Sequence, residues 1–98
     1  MKLEIITPEA SIFSGEVTSV TLPGLDGMFQ VLNNHAPIIS SLRAGEVKME
    51  VEGKLDTTKL NENVNVDKNN TLRVTIKGGV AELMNNKLIL LAEWLIKS

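Results

Sequence analysis

The chain has 98 residues, 22% of them charged, with a formal net charge of −2, one tryptophan, two phenylalanines and no cysteine. That length supports one domain, 1–98, and the lack of cysteine rules out disulfides, thiolate metal sites and thiol nucleophiles. The slightly acidic balance without a basic run argues against nucleic acid and anionic lipid as partners, and no apolar stretch approaches the roughly 20 residues of a membrane span.

Glutamates in MKLEIITPEAS stand where a secretory leader would be apolar, so secretion is not expected. Leu3 and Ile5 alternate with polar residues as a first strand, which Pro8 ends. Ile12-Phe13 opens a second, interrupted at Gly15. Val17 lies on one parity and Val20 and Leu22 on the other, which predicts a bulge near Thr18-Ser19, because a strand has period two. Pro23-Gly24 signals a turn, and Gly27 a second bend. Met28 to Leu32 and Ile38 to Leu42 are short apolar runs, separated by Asn33-Asn34 and His35-Ala36-Pro37. Pro37 pushes Ala36 toward extended geometry. The loops of Leu22 to Arg43 are where a rigid scaffold would place function.

Val47, Met49 and Val51, and later Leu72, Val74 and Ile76, alternate with charged or polar residues as strands with one wet face. Gly78-Gly79 marks a turn or bulge, Val80 to Met84 a strand, and Asn85-Asn86 a hairpin turn. Leu88 to Leu91 is apolar on both parities, which predicts cover on both faces. Residues 53–70 form a polar insertion, for which two readings stand: Val64 and Val66 pair with Leu72 and Val74 as a hairpin, or the segment is a surface excursion. Residues 93–98 form a short tail in which Trp94-Leu95-Ile96 either starts a helix or lies on the sheet. Many short strands with turns between them make an all-β sandwich or barrel.

No catalytic constellation assembles. Gly53-Lys54 lacks the upstream glycine and the hydroxyl residue of a phosphate loop, and His35 has no companion histidine for zinc. Asp67-Lys68-Asn69-Asn70 reads as a turn, lacking the central glycine of a calcium loop. Glu46, Glu50 and Glu52, at alternate strand positions, read as a solvated face. Alternation puts one of Met28 and Phe29 inside and the other outside. From the residues alone, Phe29 and Val31 belong to the core and Met28 to a loop edge.

TPE at Thr7 to Glu9, IFSGEV at Ile12 to Val17 and VTLPG at Val20 to Gly24 come first. GxFxVL at Gly27 to Leu32, HAP at His35 to Pro37 and LxxGxV at Leu42 to Val47 follow. IKGGVAEL at Ile76 to Leu83 and LILLAE at Leu88 to Glu93 close the series. Each fragment is weak; in this order they resemble the N-terminal domain of the epsilon subunit of F-type ATP synthase. The resemblance implies a flattened antiparallel β-sandwich of about ten short strands, in agreement with the strand reading. It implies a non-catalytic rotor subunit without cofactor, metal or small-molecule ligand, peripheral on the cytoplasmic face of the bacterial plasma membrane. Such a subunit links the gamma subunit to the c ring and couples proton or sodium flow to ATP synthesis.

Carried over by position, the loop Asp26, Gly27, Met28 and Phe29 is expected to face the c ring. Thr7, His35, Ala36, Pro37, Ile38 and Ser40 are expected to face gamma. Family members often carry an acid where Met28 stands, so an apolar contact to the ring is expected here. Many continue into a helical hairpin; this sequence stops at Ser98, and two readings stand: a naturally short form without the hairpin, or a sequence cut before it. The alternative is a free-standing β-sandwich module that binds another protein through Leu22 to Arg43.

Overall fold

Alternation at period two cannot place a stripe on one side of a helix, but it gives a strand one apolar and one polar face. A computed structural model describes residues 1–53, 60–68, 70–93 and 95–96, and among these it contains strands and no helix. The strands are β1 (Lys2–Ile6), β2 (Ser11–Gly24), β3 (Gly27–Leu32), β4 (Ile38–Leu42) and β5 (Gly45–Val51). They continue with β6 (Asn65–Val66), β7 (Thr71–Ile76), β8 (Gly79–Met84), β9 (Lys87–Ala92) and β10 (Leu95–Ile96).

Their order is β1-β9-β8-β4-β2-β5-β7-β10, with β3 added to β2 and β6 to β7. β1 runs parallel to β9 and antiparallel to β2, so the sheet returns on itself and encloses one core. From β1, β8 and β9 come Leu3, Ile5, Ala81, Leu83, Leu88 and Leu90; from β2, β5 and β7 come Val17, Val20, Leu22, Val47, Met49, Leu72, Val74 and Ile76. All of these are almost completely buried. With so few aromatics, the interior is filled by branched aliphatic side chains, as all-β propensity favours.

The expected bulge is present. The pairing of β2 with β5 slips between Val17 and Ser19, leaving Thr18 as the extra residue, its hydroxyl 3.4 Å from the carbonyl oxygen of Glu50. This lets Val17 and Val20 both point inward despite opposite parity. Asn85 and Asn86 take φ of 52° and 58°, the left-handed pair that a two-residue hairpin turn requires, and join β8 to β9.

Two sequence expectations fail here. Gly15 does not interrupt its strand: β2 runs unbroken through it, because Gly15 pairs with Leu3 of β1 and keeps the ladder continuous. Pro23-Gly24 is not the turn. Both residues are buried at the end of β2 and pair with Met28 and Gly27, and the turn lies one step later at Leu25-Asp26. Pro23 has no amide hydrogen to give the ladder, and its carbonyl oxygen accepts from the amide of Arg43 at 2.9 Å.

In the polar insertion the strand alternative is adopted for its last part: Asn65 and Val66 pair with Arg73 and Leu72, and Val64 is buried. Residues 54–59 and Asn69 lie outside the described residues. In the tail, Leu95 and Ile96 pair with Ile76 and Thr75 of β7, while Trp94 lies outside the described residues.

The outer side of β5 and β7 is polar and paired. Arg73 donates to Glu46 and, at 2.9 Å, to Asp67, tying the insertion to the sheet. Lys48 lies 3.8 Å from Glu50, which accepts from Thr71 at 2.6 Å. Glu46 and Glu50 are therefore partnered carboxylates, more than the merely solvated face expected of them. The hydrogen bond to Glu46 first, and that to Asp67 second, raise the Arg73 guanidinium above its ordinary pKa. Because Arg73 is solvent-facing, Arg73→Ala is expected to lower the thermal midpoint only slightly, and less at high salt than at low. Thermal melts at two ionic strengths check this; a large, salt-independent loss would mean that Arg73 carries packing as well as charge.

Candidate docking surfaces

The β2–β3 hairpin builds the first surface. Gly24 faces the Phe29 ring so closely that an added Cβ would stand 2.9 Å from it, and this bare backbone lets the ring fold onto the core. Alternation then sends Met28 outward, 53% exposed, as the sequence implied. Asp26 is exposed in the turn, Gly27 holds φ of 129°, and Leu25 stands 65% exposed at the tip. Leu25, Asp26 and Met28 line a depression of about 460 Å³ shared with Ile39 and Ser41 of β4. The expected loop set is thus one surface, with Phe29 supporting it from below. Leu25 was not among the residues singled out from the sequence; its exposure follows from the turn lying at Leu25-Asp26 and not at Pro23-Gly24.

The second set is divided. Thr7 is 7% exposed, and its hydroxyl donates to the carbonyl of Ala10 and accepts from its amide, both at 3.2 Å. Thr7 therefore closes the β1–β2 turn from inside, and Pro8 supplies the exposed surface there. His35, Ala36 and Pro37 are exposed in the connection to β4, with Nδ1 of His35 2.7 Å from the Ala36 carbonyl oxygen. Among the described residues, no group of three or more His, Cys, Asp or Glu side chains converges as metal ligands would. Ile38 and Ser40 are half-buried, opposite the buried Leu83 and Ala81, so they sit on the inner parity of β4. The outward residue is their neighbour Ile39, 75% exposed.

Ile39 begins a face that sequence reasoning did not find. In register, Ile39 lies beside Glu82 of β8 and Glu82 beside Ile89 of β9, while Val80 lies beside Leu91. Val80, Met84 and Leu91 are 40%, 56% and 52% exposed. The expectation that Leu88 to Leu91 is covered on both faces is therefore corrected: Leu88 and Leu90 are buried, Ile89 is half-buried and Leu91 is open. No element among the described residues crosses the outer side of β4, β8 and β9. The signal was present in the double parity of that run, which was read as cover on both faces.

Two troughs flank this face. Ile6, Thr7 and Pro8 border one of about 440 Å³ with Val80, Leu91 and Ala92. Pro37 and Ile38 border one of about 320 Å³ with Ile39, Glu82 and Met84. The Thr7 and Pro37 regions, remote in sequence, thus edge the same apolar layer from two sides. One outer side of the sandwich is charged and self-paired, and the opposite one presents the large apolar side chains Ile39, Val80, Met84, Ile89 and Leu91 around Glu82, with the Lys87–Glu4 ion pair at its β1 edge. Exposed apolar patches of this kind mark protein contacts.

Comparison with known proteins converges on one group. Residues 1–62 match the family model for the ATP synthase delta/epsilon chain β-sandwich domain. The ATP synthase epsilon chain of Chlorobium limicola is 40% identical over 92 residues, covering 94% of this chain and 88% of that protein. That of Chlorobaculum tepidum is 38% identical over 91 residues, covering 93% and 86%. Among solved structures, a chain of the Tetrahymena thermophila mitochondrial ATP synthase central stalk and c ring superposes with a TM-score of 0.73 at 16% identity. That match covers 99% of this chain and 66% of the other, and it shows the shared fold.

Proposed function

This chain belongs to the family of ATP synthase delta/epsilon chains, and on that premise we propose that it is a non-catalytic rotor subunit that links gamma to the c ring and couples ion flow to ATP synthesis. In this reading the subunit is peripheral, at the cytoplasmic face of the bacterial plasma membrane, and the gamma subunit covers the β4-β8-β9 face. The observation that carries the reading is that open apolar face, which leaves Leu91 and Ile39 exposed on an otherwise well-filled sandwich. The hairpin tip with Leu25, Asp26 and Met28 meets the polar loops of the c ring. Because Leu25 and Met28 are its large exposed side chains, that contact is mainly apolar. Phe29 stiffens the tip, and His35, Ala36 and Pro37 form the border of the gamma contact with Ile38 and Ser40 behind it. Thr7 shapes the opposite border. A coupling element needs a stiff body with two separate protein contacts, and neither contact asks for a reactive group.

The test is to purify the complex with variants in each surface. Leu91→Arg is expected to lose co-purification with gamma. Met28→Arg is expected to keep gamma but lower ATP-driven ion pumping, because the tip no longer seats on the ring. Both sites are exposed, so both variants should fold normally. Recovery of gamma by the Leu91→Arg subunit in normal yield overturns the assigned face. Capture of no rotary-ATPase subunit by the unaltered chain overturns the function.

A further inference from the structure

We infer that Glu82 receives a lysine or arginine of the partner at the centre of the apolar face, and so sets which surface can dock there and in what orientation. This rests on the reading above, in which gamma covers β4, β8 and β9. Glu82 stands between Ile39 on one flanking strand and Ile89 on the other. It is exposed, and among the described residues it makes no hydrogen bond or ion pair. The acid nearest in kind is already matched: Glu4 of β1, in the same layer, is held by Lys87 at 3.0 Å. The acids across the sandwich, Glu46, Glu50 and Asp67, are matched as well. Glu82 is thus the unmatched charge within the apolar patch, placed where its flanking side chains are aliphatic on both sides.

While the face is wet, water solvates this carboxylate at no penalty. A partner that covers Ile39 and Ile89 must also cover Glu82, since it lies between them, and an ionised carboxylate stripped of water without a counter-charge is strongly unfavourable. Lys87, the nearby cation of this face, is held by Glu4 at 3.0 Å, so a lysine or arginine of the covering surface is the group that best offsets this penalty. The same penalty gives discrimination: an apolar surface with no cation, or one with an acid there, docks poorly. The partner surface is accordingly an apolar patch with one lysine or arginine at its middle.

The experiment measures affinity of the full chain for purified gamma subunit encoded in the same genome, by titration calorimetry at two salt concentrations, with thermal melts to confirm folding. Four proteins are compared: the unaltered chain, Leu91→Arg, Glu82→Gln and Glu82→Leu. Leucine adds apolar surface, so it separates the two possibilities. If a cation faces Glu82, leucine strands that cation and weakens binding by roughly tenfold or more, glutamine weakens it too, and much of the salt dependence disappears in both. If no cation faces it, leucine leaves affinity unchanged or improves it, and the inference is overturned while Leu91→Arg still fails to bind. If Leu91→Arg binds normally, or the unaltered chain does not bind gamma, the docking face itself is wrong and the role of Glu82 falls with it.

Discussion

Gly79→Ala is expected to lower unfolding stability by about 2–5 kcal/mol, combining backbone strain with overpacking. Gly79 holds φ of 156°, a conformation that side-chain-bearing residues rarely adopt. A methyl group there would lie 2.3 Å from the carbonyl oxygen of Leu91 and 3.1 Å from Cα of Ala92. Those neighbours are backbone atoms of β9, the strand with which β8 pairs, and Gly79 itself pairs with Ala92. Relief therefore requires pulling β8 away from β9, which would unseat Ala81, Leu83, Leu88 and Leu90 from the core. Gly78→Ala is the matched control. Its φ of 150° is as unusual, but the nearest atom to an added methyl group is 3.5 Å away, an ordinary contact. It should show the strain alone, about 1–3 kcal/mol. Urea melts of the two variants provide the check. If the two lose equal stability, close approach of β8 to β9 is not what selects glycine at position 79.

Leu90→Ala is the second large effect, an expected loss of about 2–5 kcal/mol through the cavity left in the core. Leu90 is completely buried, whereas Leu91, its neighbour in sequence, is 52% exposed. Leu91→Ala is therefore expected to stay within about 0.5 kcal/mol of the parent. For a domain whose whole stability is about 5–15 kcal/mol, the first change removes a large fraction of it and the second almost none. The two variants should exchange roles in a binding assay. Leu90→Ala that remains folded should bind gamma normally, and Leu91→Ala should bind weakly. Equal losses of stability would show that β9 is covered on both faces after all, as its composition suggests.

The contrast between those two leucines shows where sequence stops being informative. Strand positions were legible because burial imposes a period of two, and Val47, Met49, Leu72, Val74 and Ile76 keep it without a break. The bulge at Thr18 was legible as a slip in that period. The β8–β9 turn was legible because consecutive asparagines tolerate left-handed φ. The β2–β3 turn was misplaced by one step. Proline and glycine mark a turn by backbone preference, but here both are held in the ladder, and the reason is the Phe29 ring packed over Gly24, a contact between residues on different strands.

By itself, the sequence determined an all-β chain with aliphatic strands, no thiol chemistry and no obvious catalytic group, since these follow from residue types and their spacing. Its ordered fragments also carried the resemblance to the epsilon family. Only the tertiary structure decided that Ile39 rather than Ile38 points outward, that Thr7 is spent on its own turn, and that Glu82 stands unmatched among aliphatic side chains. The reason is that exposure is a property of the assembled layers. A strand's pattern says that it has two faces, and only its neighbours across the sheet determine which face this chain covers and which it leaves for another.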